Sequence, residues 1–163
     1  MARNPFNTII LTVDTHNPNE VAIDLIAQKE SSFFGVYLLI SNDCVYVGET
    51  TNYASRIRNH LKEKTWWNRV VFLTTTDDNL NESHIKFIES VLIEKERNNE
   101  KLDNDNSKSG NKTNVRRNDM IMLNNYLEHI LSLLEFINLD VFSDKQTNNI
   151  TYYRMVNKNV ALI

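Results

Sequence analysis

Apolar and polar positions along this chain of 163 residues change period several times, and each change marks an element. Residues 8–13 alternate as a strand, and 19–29 read as a short helix after a turn rich in Asn and Pro. Residues 34–40 and 44–47 are β-branched, aromatic and aliphatic, with Asn42-Asp43 between them, which predicts an antiparallel hairpin with a two-residue loop. A helix over 53–62 follows, capped by Thr51 or Asn52, and then a third strand over 70–76 beside the hairpin. Asn81 is the expected N-cap of a second helix, with Leu80 and Ile85 placed as a hydrophobic staple and apolar periodicity running to about Ile93. Residues 98–118 then offer only Leu102 and Val115 for burial, so this stretch is either disordered or a functional loop.

A last clear helix spans 119–137. Met120, Leu123, Leu127, Ile130, Leu134 and Ile137 recur at alternating steps of three and four, a narrow seam that fits packing on the domain's own sheet or a homodimer contact. The tail is mixed, with Ile150-Thr151-Tyr152-Tyr153 strand-like. The fold class is therefore α/β, of the α+β kind: a small three-stranded antiparallel sheet flanked by helices, with an N-terminal strand-helix and a C-terminal helical extension. The expected organisation is an extension over 1–30, a core over 31–98, a polar loop over 99–118, a helix over 119–142 and a tail over 143–163.

The hairpin register sets the first candidate chemistry. Ser41 opposite Cys44 places Leu39 opposite Tyr46 and Tyr37 opposite Gly48, so all four of the latter project to one face. The tyrosines are then diagonal neighbours roughly 7–8 Å apart or less. They fit half-buried packing residues or a pair of phenols turned on one ligand. Gly48, without a side chain, is expected to leave space beside the Tyr37 phenol.

Two helices add charge. On the first, Tyr53, Ala54, Ile57 and Leu61 form an apolar stripe, and Arg56 and His60 stand one turn apart along its edge. Such a pair can grip and protonate a phosphate, or be ordinary helix-edge residues. On the second, Glu89 falls inside the stripe of Ile85, Ile88, Leu92 and Ile93. A carboxylate there needs a buried cation, and the candidates are Arg56 as an ion pair or a divalent metal. Glu82, Glu94 and Glu96 read as solvated, and His84 as an exposed first-turn residue.

Composition narrows the partners. The net charge of −3 rules out a uniformly basic polyanion binder, yet Arg56, Arg58, Lys62, Lys64 and Arg69 outnumber the single Glu63 around the first helix. This is the natural phosphate-backbone surface, with Trp66-Trp67 inside it, one ring for stacking on bases and one for the core. Lys112, Arg116 and Arg117 add cations in the polar loop. The single Cys44 fits a reducing cytosol, and no apolar run resembles a secretory signal or a membrane span, so a soluble cytoplasmic protein is expected.

Taken in order, Gly35-Val36-Tyr37, Tyr46-Val47-Gly48, Arg56, His60 and Glu89 resemble the GIY-YIG nuclease family over about residues 34–97, with Val for Ile at Val36 and Val47. His84-Ile85-Lys86-Phe87-Ile88-Glu89 is similar to a bacterial subgroup with a longer helical extension, whose small C-terminal domain would be truncated or absent here. The resemblance implies hydrolysis of DNA phosphodiester bonds with one Mg²⁺ or Mn²⁺ held by Glu89. It implies Tyr37 as the group that activates water, Tyr46 as its orienter, Arg56 as the offset for phosphoryl charge and His60 as a hydrogen-bonding or proton-relay partner. Gly48, Arg58, Lys62, Lys64 and Arg69 would lie along the DNA. The family motif also carries an asparagine after the glutamate helix, for which Asn98, Asn99, Asn111 and Asn114 are candidates. A specificity domain or partner protein is expected to select the target. The competing expectation is a non-catalytic module that binds nucleic acid or protein on a nuclease-like scaffold.

Overall fold

The computed structural model describes residues 8–14, 33–75, 79–99, 103–104, 106, 114–139 and 141–142. In chain order the elements are β1 (Thr8–Asp14), β2 (Gly35–Ile40), β3 (Cys44–Thr50), α1 (Tyr53–Glu63), β4 (Arg69–Thr75), α2 (Glu82–Asn99), β5 (Asp103–Asn104) and α3 (Arg117–Phe136). The helix expected over 19–29 and the strand-like segment 150–153 lie outside the described residues.

The expected antiparallel trio forms the centre of the sheet, in the order β4-β2-β3. The hairpin has the register that its turn dictates: Ile40 faces Val45, Leu39 faces Tyr46 and Tyr37 faces Gly48. Ser41 closes the turn, accepting the Asp43 and Cys44 N–H groups on its Oγ at 3.3 and 3.1 Å. β1 extends the sheet beyond β4, antiparallel, and the two-residue β5 adds to β3 in parallel. β5 corrects the expectation that 99–118 is a loop throughout. The glutamate helix also runs beyond Ile93 to Asn99.

Alternation along β2, β3 and β4 produces two apolar faces. On one, Val36, Leu38, Val45, Val47, Val71 and Leu73 pack with Ile85, Ile88 and Leu92 of α2 and Leu123, Tyr126, Leu127, Ile130 and Leu134 of α3. On the other, Tyr37, Leu39, Val70 and Phe72 pack with Tyr53 and Ile57 of α1 and with Trp67. The sheet is thus the middle of three layers. Four of the six seam residues of α3 are buried in the chain's own core, with Met120 exposed and Ile137 half-buried at the ends. None of the described helices is long and apolar enough to cross a membrane.

Tyr126 was not among the expected core residues, yet it is fully buried and its hydroxyl donates to the Thr74 carbonyl at 3.1 Å. Its phenol ties α3 to β4. Tyr126→Phe leaves that buried carbonyl without this donor, and we expect a loss of about 1–2 kcal/mol. Read by circular dichroism, the melting temperature should fall by roughly 2–6 °C with no change in fold.

His84 corrects a second expectation, since it is 7% exposed rather than solvated. The Asn81 side chain caps α2 by accepting the His84 N–H at 2.9 Å, and His84 Nε2 lies 3.7 Å from Asp119 Oδ2 at the start of α3. The approach of a distant helix buries it, which the local stripe of α2 does not reveal. Glu96 is a third correction: it is 1% exposed. It lies seven residues after Glu89 and so shares its side of α2.

Candidate active site

Three elements bring the site side chains together. β2 and β3 present Tyr37 and Tyr46 with ring centroids 6.1 Å apart, as the diagonal relation requires. α1 begins just after β3, where Asn52 caps it by accepting the Ser55 N–H on Oδ1 at 3.0 Å, and lays its first three turns across the tyrosine face. Arg56 and His60 therefore arrive one turn apart over Tyr37. Arg56 Nε donates to the Tyr37 oxygen at 3.1 Å, and that oxygen lies 2.6 Å from His60 Nε2. The His60 ring also meets Tyr46, edge to face, at 5.1 Å.

With Arg56 donating to the phenol oxygen, the Tyr37 hydrogen is directed to His60 Nε2, which then acts as the acceptor. Tyr37 is completely buried. Burial pushes its phenol far above the ordinary tyrosine range, Tyr46 adds to the rise, and Arg56 opposes it only in part. A standing phenolate is thus disfavoured. The proton leaves this oxygen only with help from its two partners.

Gly48 does something other than leave open space. A Cβ at Gly48 would meet Cζ, Oη and Cε1 of Tyr37 inside van der Waals contact, so the phenol itself lies over the Gly48 backbone. Gly48 is buried, and the lack of a side chain there makes room for Tyr37 itself.

Glu89 is half-buried on α2 and reaches the edge of β3. Its carboxyl is raised from 4.5 to about 7, first by burial and then by the nearby Glu49 carboxylate, against the opposing pull of the Glu49 backbone and of the Arg56 and Lys86 charges. Arg56 therefore acts on both the tyrosine face and Glu89. It does not quench the carboxylate, as a closed ion pair would.

The basic residues divide. Arg58 and Lys62 are exposed on α1, and Lys64 Nζ lies 4.7 Å from the Tyr46 ring centroid. Arg69 departs from this surface: in β4 it alternates with Val70 and Phe72 of the α1 face and so falls on the side of α2 and α3. Trp67 is the core residue of its pair and Trp66 is half-buried. Arg116 and Arg117 are exposed, and Lys112 lies outside the described residues.

After the glutamate helix, Asn106 places its side chain on the edge of β3. Its Oδ1 accepts the Val47 N–H at 2.9 Å and its Nδ2 donates to the Val47 carbonyl at 2.7 Å. Asn98 and Asn114 are exposed, the side chain of Asn99 is not described, and Asn111 lies outside the described residues. The contact joins residues 59 apart in sequence, so nothing local signals it.

A comparison with protein families matches residues 33–114 to the GIY-YIG catalytic domain. The chain belongs to the GIY-YIG family. Comparisons with curated proteins and with solved structures gave no match. The GIY-YIG match spans β2 through the asparagine and so contains every residue of the cluster, while β1 and α3 lie outside it.

Proposed function

We propose that this GIY-YIG chain is an endonuclease that hydrolyses DNA phosphodiester bonds with one divalent cation, Mg²⁺ or Mn²⁺, held at Glu89. The observation that carries the reading is the Tyr37 oxygen held at once by Arg56 Nε and His60 Nε2, with Arg56 also close to Glu89. Packing alone does not call for that convergence.

Glu89 fits the ion. It is a hard oxygen donor with too little positive charge around it, as its rise to about 7 beside Glu49 indicates. Mg²⁺ commonly keeps several waters and uses one or two carboxylates, so the cluster needs no larger donor set. When bound, such a cation polarises the scissile phosphate and stabilises the leaving 3′ oxygen.

The chain's own residues supply the rest. Tyr37 orients the attacking water and takes its proton as its own phenolic hydrogen passes to His60 Nε2, so no free phenolate stands at rest. Arg56 keeps N–H groups beyond its Nε for the phosphoryl oxygens, where charge grows in the transition state. Tyr46, packed against His60 and Tyr37, orients the water or the phosphate. Arg58, Lys62 and Lys64 hold the DNA backbone. Arg69 and Gly48 have no contact role in this arrangement. A core of this size carries little surface for reading sequence, so a further domain or partner protein selects the target. A single cysteine, Cys44, is suited to a reducing cytoplasm.

The test is conversion of supercoiled plasmid by the purified protein. We expect nicked or linear product with Mn²⁺ or Mg²⁺ and none with excess chelator. Intact plasmid under all conditions, with a gel shift that ignores the metal, overturns the nuclease reading in favour of a binding module.

A further inference from the structure

The outer edge of β3 is completed by three groups of different kinds. Residues 45, 47 and 49 turn their backbone N–H and C=O groups to the same side, away from β2, because those groups alternate along an antiparallel strand. At Val45 the partner is β5, paired through Asn104. At Val47 it is the Asn106 side chain, whose amide offers one acceptor and one donor as a peptide unit would. At Glu49 the Glu89 side chain comes close enough for the Glu49 backbone to favour its charged form. The carboxylate of the proposed metal site is therefore the third occupant of this edge.

Arg97 closes the arrangement. It lies on α2 two turns beyond Glu89, and its Nη2 donates to the Asn106 carbonyl at 2.9 Å. Beyond its apolar packing on the sheet, α2 is thus tied to the β3 edge at Val47 through Arg97 and Asn106, with Glu89 coming near the same edge at Glu49. Between them lie Gly48, which seats Tyr37, and next to them Tyr46. Apolar packing is non-directional and lets a helix slide or tilt against a strand, and a hydrogen-bonded tie limits that freedom.

We infer that Arg97 is a positioning residue: acting through Asn106, it fixes α2 on the edge of β3 and so sets the Glu89 carboxylate relative to the Tyr37 and Tyr46 phenols. It touches no reacting group. This inference rests on the nuclease reading for its consequence in catalysis, while the tie itself is a matter of backbone protection at Val47.

Three variants test it: Arg97→Ala, Arg97→Lys, which retains a donor, and Asn106→Asp, which keeps an acceptor for the Val47 N–H but loses the donor to its carbonyl. Lys95→Ala, on the exposed side of α2, controls for loss of charge. We expect Arg97→Ala to speed amide exchange at Val47 about tenfold, and to lower kcat about tenfold with KM for DNA unchanged within about twofold. Arg97→Lys should recover most of both effects, Asn106→Asp should show at least as large a loss, and Lys95→Ala should show neither. Unchanged Val47 exchange and unchanged kcat in Arg97→Ala overturn the inference while a cleaving parent protein leaves the nuclease reading standing. If the parent protein fails to cleave, that reading falls and Val47 exchange alone decides: acceleration in Arg97→Ala but not in Lys95→Ala upholds the tie, and equal rates overturn it.

Discussion

Glu89→Gln is expected to abolish DNA cleavage and, in the same molecule, to raise the stability of the metal-free protein at neutral pH. The two effects have one cause. In the folded chain Glu89 ionises near pH 7, against 4.5 for an ordinary glutamate, because burial and the Glu49 carboxylate oppose its charge. The unfolded chain therefore gives up this proton first as pH rises. Stability associated with the protonated group is complete below about pH 4.5, is lost progressively as pH rises to about 7, and stays lost above it. Gln keeps the shape but has no charge to desolvate.

Allowing for the solvent that still reaches this half-exposed group, the gain at pH 8 should be roughly 1–2 kcal/mol. A thermal melt in chelator should show the variant higher by roughly 3–6 °C at pH 8 and equal to the parent near pH 4. Adding Mn²⁺ should raise the parent's melting temperature and leave the variant's alone. Cleavage should fall on the order of a thousandfold or more, the scale of an interaction that stabilises transition-state charge by several kcal/mol. A variant that cleaves at the parental rate removes Glu89 from the metal site. One that is no more stable than the parent at pH 8 removes the desolvation argument.

How much of this was legible in the sequence depends on the range of the contact concerned. The hairpin register follows from a two-residue turn and strand alternation, both local, and it places Tyr37, Leu39, Tyr46 and Gly48 on one face as observed. The cap of α1 and the cap of α2 are local as well. Arg56 and His60 share a helix edge by periodicity alone, and that edge lies over the tyrosines because α1 follows β3 at once. Where legibility failed, a distant segment decided the outcome. His84 is buried where the start of α3 approaches, and Asn106 replaces a strand with a side chain, which no hydrophobic pattern encodes. Glu96 is different: it lies seven residues after Glu89, on the local continuation of the same stripe. Arg69 is near the α1 cations in sequence, but strand alternation separates it from α1.

Gly48 carries the second large expected effect, because Tyr37 lies directly over it. Gly48→Ala puts a methyl group where the Tyr37 phenol lies, against Cζ and Oη together. Neither partner can yield easily. Gly48 is fixed in the β2–β3 ladder opposite Tyr37, and the phenol is completely buried and held by His60 and Arg56. The ring must move off the strand, breaking one or both hydrogen bonds, and overpacking of this kind costs about 1–3 kcal/mol. Cleavage should fall by roughly a hundredfold, since a displacement of about 1 Å at a positioned group has that effect. The discriminating measurement is a double-mutant cycle on stability. Gly48→Ala should destabilise the parent protein but cost far less in a Tyr37→Ala background, where the colliding ring is gone, giving a coupling of about 1–2 kcal/mol. Equal costs in both backgrounds would show that Gly48 serves the backbone of β3 rather than the seat of Tyr37. Loss of cleavage in Gly48→Ala without that coupling would point to a direct contact of Gly48 with DNA instead.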